Sequence, residues 1–222
     1  MIEREFVKQY KKEFEIQEFI ATTLKNVGHS HTKLQRTPLG EKIVIYASRP
    51  GLIVGRKGEN ISRLTSTLKS KFKLENPQIE ISEVEYPQAD AQIVAENIAS
   101  ALERFGIKRF KGIMHKAVQD ALSNGAMGIE VIISGKVPSS RARSWRVLGG
   151  YLKKCGDTAM KDVKRAMAEA QLKSGTVGVR VRIMPKMTRP DDMTFKEETA
   201  PKEEKPAEKA EKAEEKNEQK NA

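Results

Sequence analysis

Apolar side chains in the first half of the chain recur at helical spacing in some segments and alternate with polar ones in others. The helical spacing predicts a helix over 13–27, and Gly28 supplies its stop. The patterns that follow predict, in order, an edge strand over 31–37, a buried strand over 42–48, a short helix over 52–54, a helix whose face holds Ile61, Leu64, Leu68 and Phe72, and a strand over 78–84. Pro38-Leu39-Gly40, Pro50-Gly51 and Asn76-Pro77 mark the breaks between them.

The second half of the chain predicts two more helices and then strands. Helical spacing covers 88–105 and 109–123. An apolar strand is predicted over 128–134, and strict alternation of apolar and polar residues predicts another over 176–184. The segment 158–172 between them is ambiguous, but its apolar residues lie at helical spacing, so the residues alone favour a helix there.

Charge is distributed unevenly along the chain. Residues 196–222 hold 7 lysines, 9 glutamates and no large apolar side chain, so this tail is predicted to be disordered. The part before the tail holds 34 basic and 21 acidic residues, a net charge of +13. A body this basic predicts a polyanionic partner, although a protein can also be basic without binding one.

Cysteine usage and hydropathy bear on the compartment. The single cysteine, Cys155, excludes a disulfide within the chain and is typical of a reducing cytosol. The first residues lack the apolar core of a signal peptide, and no apolar run approaches the roughly 20 residues of a membrane span. We therefore expect a cytoplasmic protein that does not associate with a membrane.

Two glycines three positions apart, in Gly55-Arg56-Lys57-Gly58, separate the short helix from the next one. Glycine permits a tight turn and leaves room for an approaching backbone, while the following helix points its N-terminal amides at the loop. With two cations between the glycines, this predicts the nucleic-acid clamp of a KH module, with Ile53, Val54 and Ile61 beside it as a shallow groove for bases. Arg49, just before the short helix, is included among the expected RNA contacts. The alternative is an ordinary helix–loop–helix turn with solvated cations.

An acid-free stretch over 136–154 is the second candidate surface. Its six cations, which we expect to contact RNA phosphates, are Lys136, Arg141, Arg143, Arg146, Lys153 and Lys154. Trp145 and Tyr151 lie among them, and aromatic rings can stack on bases. The alternatives are a solvated edge strand whose cations prevent aggregation, and a Trp145 that belongs to the core.

Catalytic and metal chemistry have little support in the sequence. Cys155 has no histidine near it, and His29 and His31 have no second pair of ligands for a metal. Gly135-Lys136 is followed by Val137, so it does not complete a phosphate-binding P-loop. We therefore expect no enzyme activity, no cofactor and no metal.

These features together resemble the ribosomal protein S-three family of the small subunit, in its archaeal form. The resemblance covers 3–185, and its most specific stretches are Ser48-Arg49-Pro50-Gly51-Leu52-Ile53-Val54-Gly55-Arg56-Lys57-Gly58, Gly128-Ile129-Glu130-Val131 and Ser134-Gly135-Lys136, while the run 147–157 looks archaeal. It implies an α+β fold with an N-terminal type II KH domain over 1–86 and a second α/β domain over 87–190, followed by a disordered C-terminal tail over 191–222. The second domain is expected to have two helices packed on a four-stranded, mostly antiparallel sheet. The resemblance also implies a strand over 158–166 with a loop to Gly175.

The resemblance implies a structural constituent of the small ribosomal subunit that binds rRNA in the head, next to the small-subunit proteins S-ten and S-fourteen. It further implies a lining role where mRNA enters, with three basic positions near the start of the second domain's second helix that help to unwind the message. Lys111 matches the first of them, but Gly112 and His115 occupy the other two, which thins the charge. Lys116 adds a cation nearby and joins the expected RNA contacts.

Two other functions stay open from the residues. A free KH protein that regulates mRNA or binds DNA would carry the same loop. A DNA-repair lyase, an activity linked to some eukaryotic relatives, would need a lysine placed for a Schiff base, and the sequence singles out no such lysine.

Overall fold

The computed structural model of the chain describes residues 2–25, 27–37, 40–74, 76–139 and 141–186. The tail predicted to be disordered over 191–222 lies outside these residues, as does most of the predicted Pro38-Leu39-Gly40 turn. The described part contains two sheets, each packed against helices over an apolar core of its own.

The first sheet is formed by the first part of the chain. Its elements are α1 (Ile2–Thr23), β1 (His29–Thr37), β2 (Gly40–Ala47), α2 (Pro50–Val54), α3 (Glu59–Phe72) and β3 (Gln78–Glu83). The strand order is β1-β2-β3, with β1 antiparallel to β2 and β3 parallel to it. Parallel neighbours need a crossover connection, which α2 and α3 provide. This topology confirms the type II KH fold that the resemblance implies.

The first core holds α1 and α3 to the sheet. Ile43 and Ile45 of β2 are fully buried in one cluster with Ile16 and Ile20 of α1 and with Leu68 of α3. Burying each large aliphatic side chain contributes about 1.5–3 kcal/mol. These contacts fix where the loop between α2 and α3 lies on the first sheet.

Helix α1 extends far beyond the part that packs on this core. It starts at Ile2 and ends at Thr23, so both predicted bounds, 13 and 27, are wrong. Its first turns expose Phe6, Tyr10 and Phe14. Residues of high helix propensity continue a helix without burying it, which is why the start of α1 is not marked by core-forming side chains.

The second sheet follows with two long helices before it. Its elements are α4 (Ala91–Phe105), α5 (Phe110–Ser123), β4 (Gly128–Gly135), β5 (Arg143–Gly150), α6 (Asp157–Lys161), β6 (Lys164–Leu172) and β7 (Gly175–Met184). The strand order is β5-β4-β7-β6, and every pair of neighbours is antiparallel. Helix α4 contacts β6 and β7, and α5 contacts β4 and β5, so both helices cover one face of the sheet. The predicted α+β architecture is confirmed, although the domain boundaries at 86 and 190 stay predictions.

The ambiguous segment over 158–172 contains a short helix and then a strand. The strand β6 spans Lys164–Leu172, and α6 occupies Asp157–Lys161. The helix that the residues alone favour is therefore wrong over most of its length. The bounds implied by the resemblance, a strand over 158–166 and a loop to Gly175, are wrong as well, because only two residues separate β6 from β7.

The burial of its side chains explains why the sequence of 158–172 predicts a helix where most of the segment is a strand. Met160 and Met167 are 75% and 66% exposed, although both side chains are large and apolar. The residues that face the core are mostly alanine: Ala166 and Ala170 are buried, and Ala168 and Leu172 pack against the core. Small inward-facing residues give a weak strand pattern, which the helical spacing of Met160, Val163 and Met167 obscures.

Helix α4, in the second half of the chain, contacts strand β1 of the first sheet. Asp90, directly before α4, forms an ion pair with Lys164 of β6 at 3.4 Å. His29 of β1 is buried, with its Nε2 2.8 Å from Thr32 Oγ1. Burial lowers the pKa of His29, the nearby His31 lowers it further, and the carboxylate of Asp90 opposes both effects. Burial also lowers the pKa of His31, whose ring stacks on Tyr46.

We expect the free energy of unfolding to decrease as the pH falls below about 6.5, the ordinary histidine pKa. The pKa of His29 is lower in the folded state, so the unfolded chain binds the proton more readily. This contribution to stability is therefore fully present above about 6.5 and is lost as the pH falls from there through the lower folded-state pKa of His29. His29→Gln should reduce the loss of stability between about pH 7.5 and 5, measured by denaturant unfolding. His115→Gln on the exposed face of α5 is the control, and an equal reduction by both variants would contradict the assignment.

Candidate nucleic-acid interface

The loop between α2 and α3 is a tight turn made of unusual backbone conformations. Gly55 has φ 71°, and its N–H donates to the carbonyl of Gly51 at 3.0 Å, which ends α2. Arg56–Gly58 form a single turn of 3-10 helix in which Lys57 has φ 53°, and Gly58 has φ 77°. Positive φ values favour glycine, which occupies two of these three positions, Gly55 and Gly58. The spacing of the two glycines therefore follows from the path of the backbone.

Asn60 fastens this loop from the first turn of α3. Its side-chain Nδ2 donates to the carbonyl of Leu52 in α2 at 3.2 Å. A Cβ at Gly55 would lie 2.6 Å from Asn60 Cγ, so glycine is required there for space as well as for conformation. Asn60 is not among the predicted site residues, and its signal in the sequence is an amide side chain two residues after the second glycine.

The loop presents its cations and an open backbone to solvent. Arg56 and Lys57 are exposed, as is Arg49 at the start of α2. No atom of the described residues lies within 4 Å of a Cβ built on Gly58, so another backbone can approach that position. The N-terminal end of α3 follows at once, and its positive dipole end favours an anion. This arrangement suits a phosphate group.

The predicted groove for bases is only partly correct. Ile53 is 1% exposed and belongs to the first core, so it is not available to a ligand. Val54 and Ile61 are half-buried, and Leu52 is exposed. The apolar surface beside the loop is therefore formed by Leu52, Val54 and Ile61.

The N-terminus of α5 and the start of the acid-free stretch meet at Trp145. The indole Nε1 donates to the carbonyl of Val137 at 3.2 Å. The Phe110 ring lies 5.3 Å from the indole ring, and Lys111 Nζ lies 5.0 Å from its centre. Trp145 is thus packed against its neighbours, as the alternative of a core residue predicts. Its ring also links Lys111 of α5 to β5, the strand that carries Arg143.

Most of the other predicted cations on these elements are exposed. Lys116 on α5 is exposed, as are Lys136, Arg141 and Arg143 around the start of β5, while Lys153 after β5 is half-buried. Strand β5 lies at the edge of the second sheet, as the alternative of an edge strand that carries cations predicts. Contact of these cations with RNA stays a prediction.

Two of the predicted RNA contacts already have an acidic partner within the chain. Glu130 of β4 has a side chain only 2% exposed, and Arg146 Nε forms an ion pair with it. Lys154 lies 3.8 Å from the same carboxylate oxygen, and Arg182 of β7 lies 3.4 Å from the other one. Glu130 and Arg182 are not among the predicted site residues, although an acid within the apolar run of β4 is a visible signal in the sequence.

Other kinds of site lack support in the part of the chain that the structure describes. There, no group of three or more His, Cys, Asp or Glu side chains is placed to hold a metal ion. None of the described helices combines the length and the hydropathy needed to cross a bilayer. Cys155 is exposed.

Comparison with known proteins decides the family. Residues 15–89 match the family described as KH domain, and residues 98–183 match the family described as Ribosomal protein S3, C-terminal domain. The chain is 44% identical over 199 residues to the Small ribosomal subunit protein uS3 of Methanocaldococcus jannaschii, a match that covers 89% of this chain and 95% of the relative. The chain belongs to the uS3 family.

Further uS3 relatives agree with this assignment. The uS3 protein of Methanosphaera stadtmanae is 40% identical over 198 residues, which is 89% of this chain and 78% of the relative. That of Methanococcus aeolicus is 39% identical over 198 residues, 89% of this chain and 94% of the relative. The uS3 family consists of structural, non-enzymatic proteins of the ribosome, so the predictions of a cytoplasmic ribosomal location and of no enzyme are confirmed.

We expect that replacing Arg56 and Lys57 by Gln weakens binding of single-stranded RNA to the full chain. If each cation contacts one phosphate, the slope of log affinity against log salt should fall in magnitude by about 1.4. Filter binding over a salt series measures this slope. Lys8→Gln with Lys12→Gln on the exposed side of α1 removes the same charge and should leave the slope nearly unchanged. A loop variant with the parental slope would show that its cations do not touch phosphate.

Proposed function

We propose that this uS3-family chain is a structural constituent of the small ribosomal subunit that binds rRNA in the head and lines the path by which mRNA enters. The observation that carries the proposal is the junction at Trp145, which joins the basic start of α5 to the basic stretch of β5. A continuous basic surface on rigid elements suits the backbone of a long RNA better than an isolated phosphate.

The loop between α2 and α3 supports a separate contact with RNA. Its turn exposes Arg56 and Lys57 and leaves Gly58 open, as a clamp on a nucleic-acid backbone requires. Because Asn60 fixes the turn before any ligand binds, little conformational entropy is lost on binding. The loop therefore adds affinity without reading a long sequence.

The mRNA contact is assigned to one stripe of α5. Lys111, Gly112, His115 and Lys116 are spaced so that they share a helix face, and all four are exposed. Two of the four are cations, so this stripe holds single-stranded message more weakly than three closely spaced cations would. The proposed neighbours in the head, S-ten and S-fourteen, rest on the family resemblance.

Sedimentation separates this function from that of a free KH regulator. Tagged protein should travel with small subunits at low salt, and very little should remain at the top of the gradient. A large free pool in growing cells, with mRNA bound to it, would favour the regulator instead. A high-salt wash should release the protein, because phosphate contacts weaken steeply with ionic strength.

We expect the α5 stripe to gain unwinding strength when its missing charges are supplied. Gly112→Arg with His115→Lys should speed translation through an mRNA hairpin placed ahead of the ribosome by roughly two- to fivefold, since exposed charge contacts contribute up to about 1 kcal/mol together. No atom of the described residues lies within 4 Å of a Cβ on Gly112, so the larger side chain fits. Single-ribosome translocation rates measure the effect.

The control variant adds the same two charges elsewhere. Gln35→Arg with Gln78→Lys places them on exposed positions of β1 and β3. Equal acceleration by both variants would assign the effect to net charge. No acceleration by the α5 variant would remove α5 from the mRNA path.

A further inference from the structure

The face of the second sheet opposite α4 and α5 carries arginines from three strands. Cross-strand pairing places Arg146 of β5, Ile132 of β4, Arg180 of β7 and Met167 of β6 in one row. The next row holds Leu148, Glu130, Arg182 and Arg165. We call the four arginines of these two rows, Arg146, Arg165, Arg180 and Arg182, the arginine face.

Burial confirms that these side chains point away from the helices. On β4 and β7 the residues next to these rows, Val131, Val179 and Val181, are buried in the second core. Arg165 and Arg180 are exposed. Arg146 and Arg182 keep 48% and 30% of their side-chain surface exposed despite their ion pairs. The face is therefore accessible to a ligand at Arg146, Arg165 and Arg180, although Arg165 Nη2 also donates to the carbonyl of Ala159 in α6 at 3.0 Å.

Glu130 orients two of these arginines. It uses one oxygen for Arg146 Nε and the other for Arg182 Nη1, so the carboxylate lies between the two guanidinium groups. Arg146 is held through Nε, and about half of its side-chain surface stays exposed. A carboxylate that is almost fully buried costs several kcal/mol unless cations surround it, so its position at the centre of an open basic face calls for a reason.

We propose that the arginine face is a further RNA-binding surface, on which Glu130 is a positioning residue that aims Arg146 and Arg182 at RNA phosphates. This rests on the proposed function and deepens it: Arg146 belongs to the acid-free stretch already, and Arg165, Arg180 and Arg182 add a surface that the loop, α5 and β5 do not include. Arg165 and Arg180 extend it across β6 and β7. Guanidinium groups bind phosphate oxygens through two parallel hydrogen bonds, and a fixed guanidinium loses less entropy when it does so.

The composition of the face favours the backbone of an RNA duplex. Across the two rows four arginines stand against one acid, and that acid is already paired. The rows contain no aromatic ring, so the face offers no platform on which unpaired bases could stack. Double-stranded RNA is recognised mostly through phosphate and ribose contacts, which arginines on a rigid sheet can provide.

The first test uses a 16-base-pair RNA duplex and the full chain. Arg165→Gln with Arg180→Gln should lower the salt slope for the duplex by about 1.8, because each duplex phosphate contact contributes about 0.9. Arg36→Gln with Arg104→Gln removes the same charge from exposed positions on β1 and α4 and should leave the slope nearly unchanged. Equal slopes for the two variants would overturn the proposal.

The second test depends on the sign of the effect. Glu130→Gln makes the chain more basic, so net charge alone predicts tighter binding to RNA. If Glu130 positions the arginines, the variant should instead bind the duplex several-fold more weakly, while its binding to single-stranded RNA through the loop is retained. Circular dichroism would establish that the variant is folded. Should it fail to fold, Glu130→Asp replaces it: this variant keeps the charge but shortens the side chain, so it should weaken duplex binding if Glu130 positions the arginines and leave it unchanged if only charge matters.

The two tests also separate this proposal from the proposed function. Loss of slope in the Arg56 and Lys57 variant together with a parental slope in the arginine-face variant would overturn the arginine face and leave the RNA-binding function standing. A third outcome is possible for the variant Arg165→Gln with Arg180→Gln. If it assembles fully into subunits and keeps the parental duplex slope, but these subunits lack an acidic protein neighbour, the face binds that protein and not RNA.

Discussion

The buried carboxylate of Glu130 is the interaction on which the second sheet and its surfaces depend. An unpaired carboxylate in that position would cost several kcal/mol, so β5, β7 and the segment after β5 must each bring a cation to it. This requirement sets which face of β5 points outward. Because side chains alternate along a strand, sending Arg146 outward to Glu130 sends Trp145 inward, where it meets Phe110 and Lys111. One edge strand thereby organises two basic surfaces on opposite faces of the sheet.

A comparable constraint governs the first half of the chain, where it acts on the backbone. The turn after α2 requires positive φ at Gly55, Lys57 and Gly58, and Asn60 occupies the space that a side chain at Gly55 would need. The turn is therefore specified by glycine and asparagine, while the two residues between the glycines are free of any packing role. Their charge is available for binding because the fold does not use it.

The sequence supplied the fold where a local rule acts alone, and it did not where tertiary contacts decide. The loop could be located because its glycines answer to backbone conformation, and β7 because valines alternate there with polar residues. The strand β6 is misplaced because alanines face the core and Met167 faces solvent. The pairing of Arg146 and Lys154 with Glu130 could not be seen from an acid-free stretch, since the acid comes from a neighbouring strand.

The start of α5 carries a cluster of cations that the packing of the helix does not require. Lys108, Arg109 and Lys111 lie at the positive end of the helix dipole, and no acid occupies its first turn. Each cation in such a position costs about 0.3–1 kcal/mol, and the ring of Trp145 compensates only Lys111. Stability alone would favour acids there, as Glu59 is found at the start of α3. An anion bound at the start of α5 would offset the cost that three cations impose. The RNA backbone that we propose for this surface would supply such an anion at the helix end.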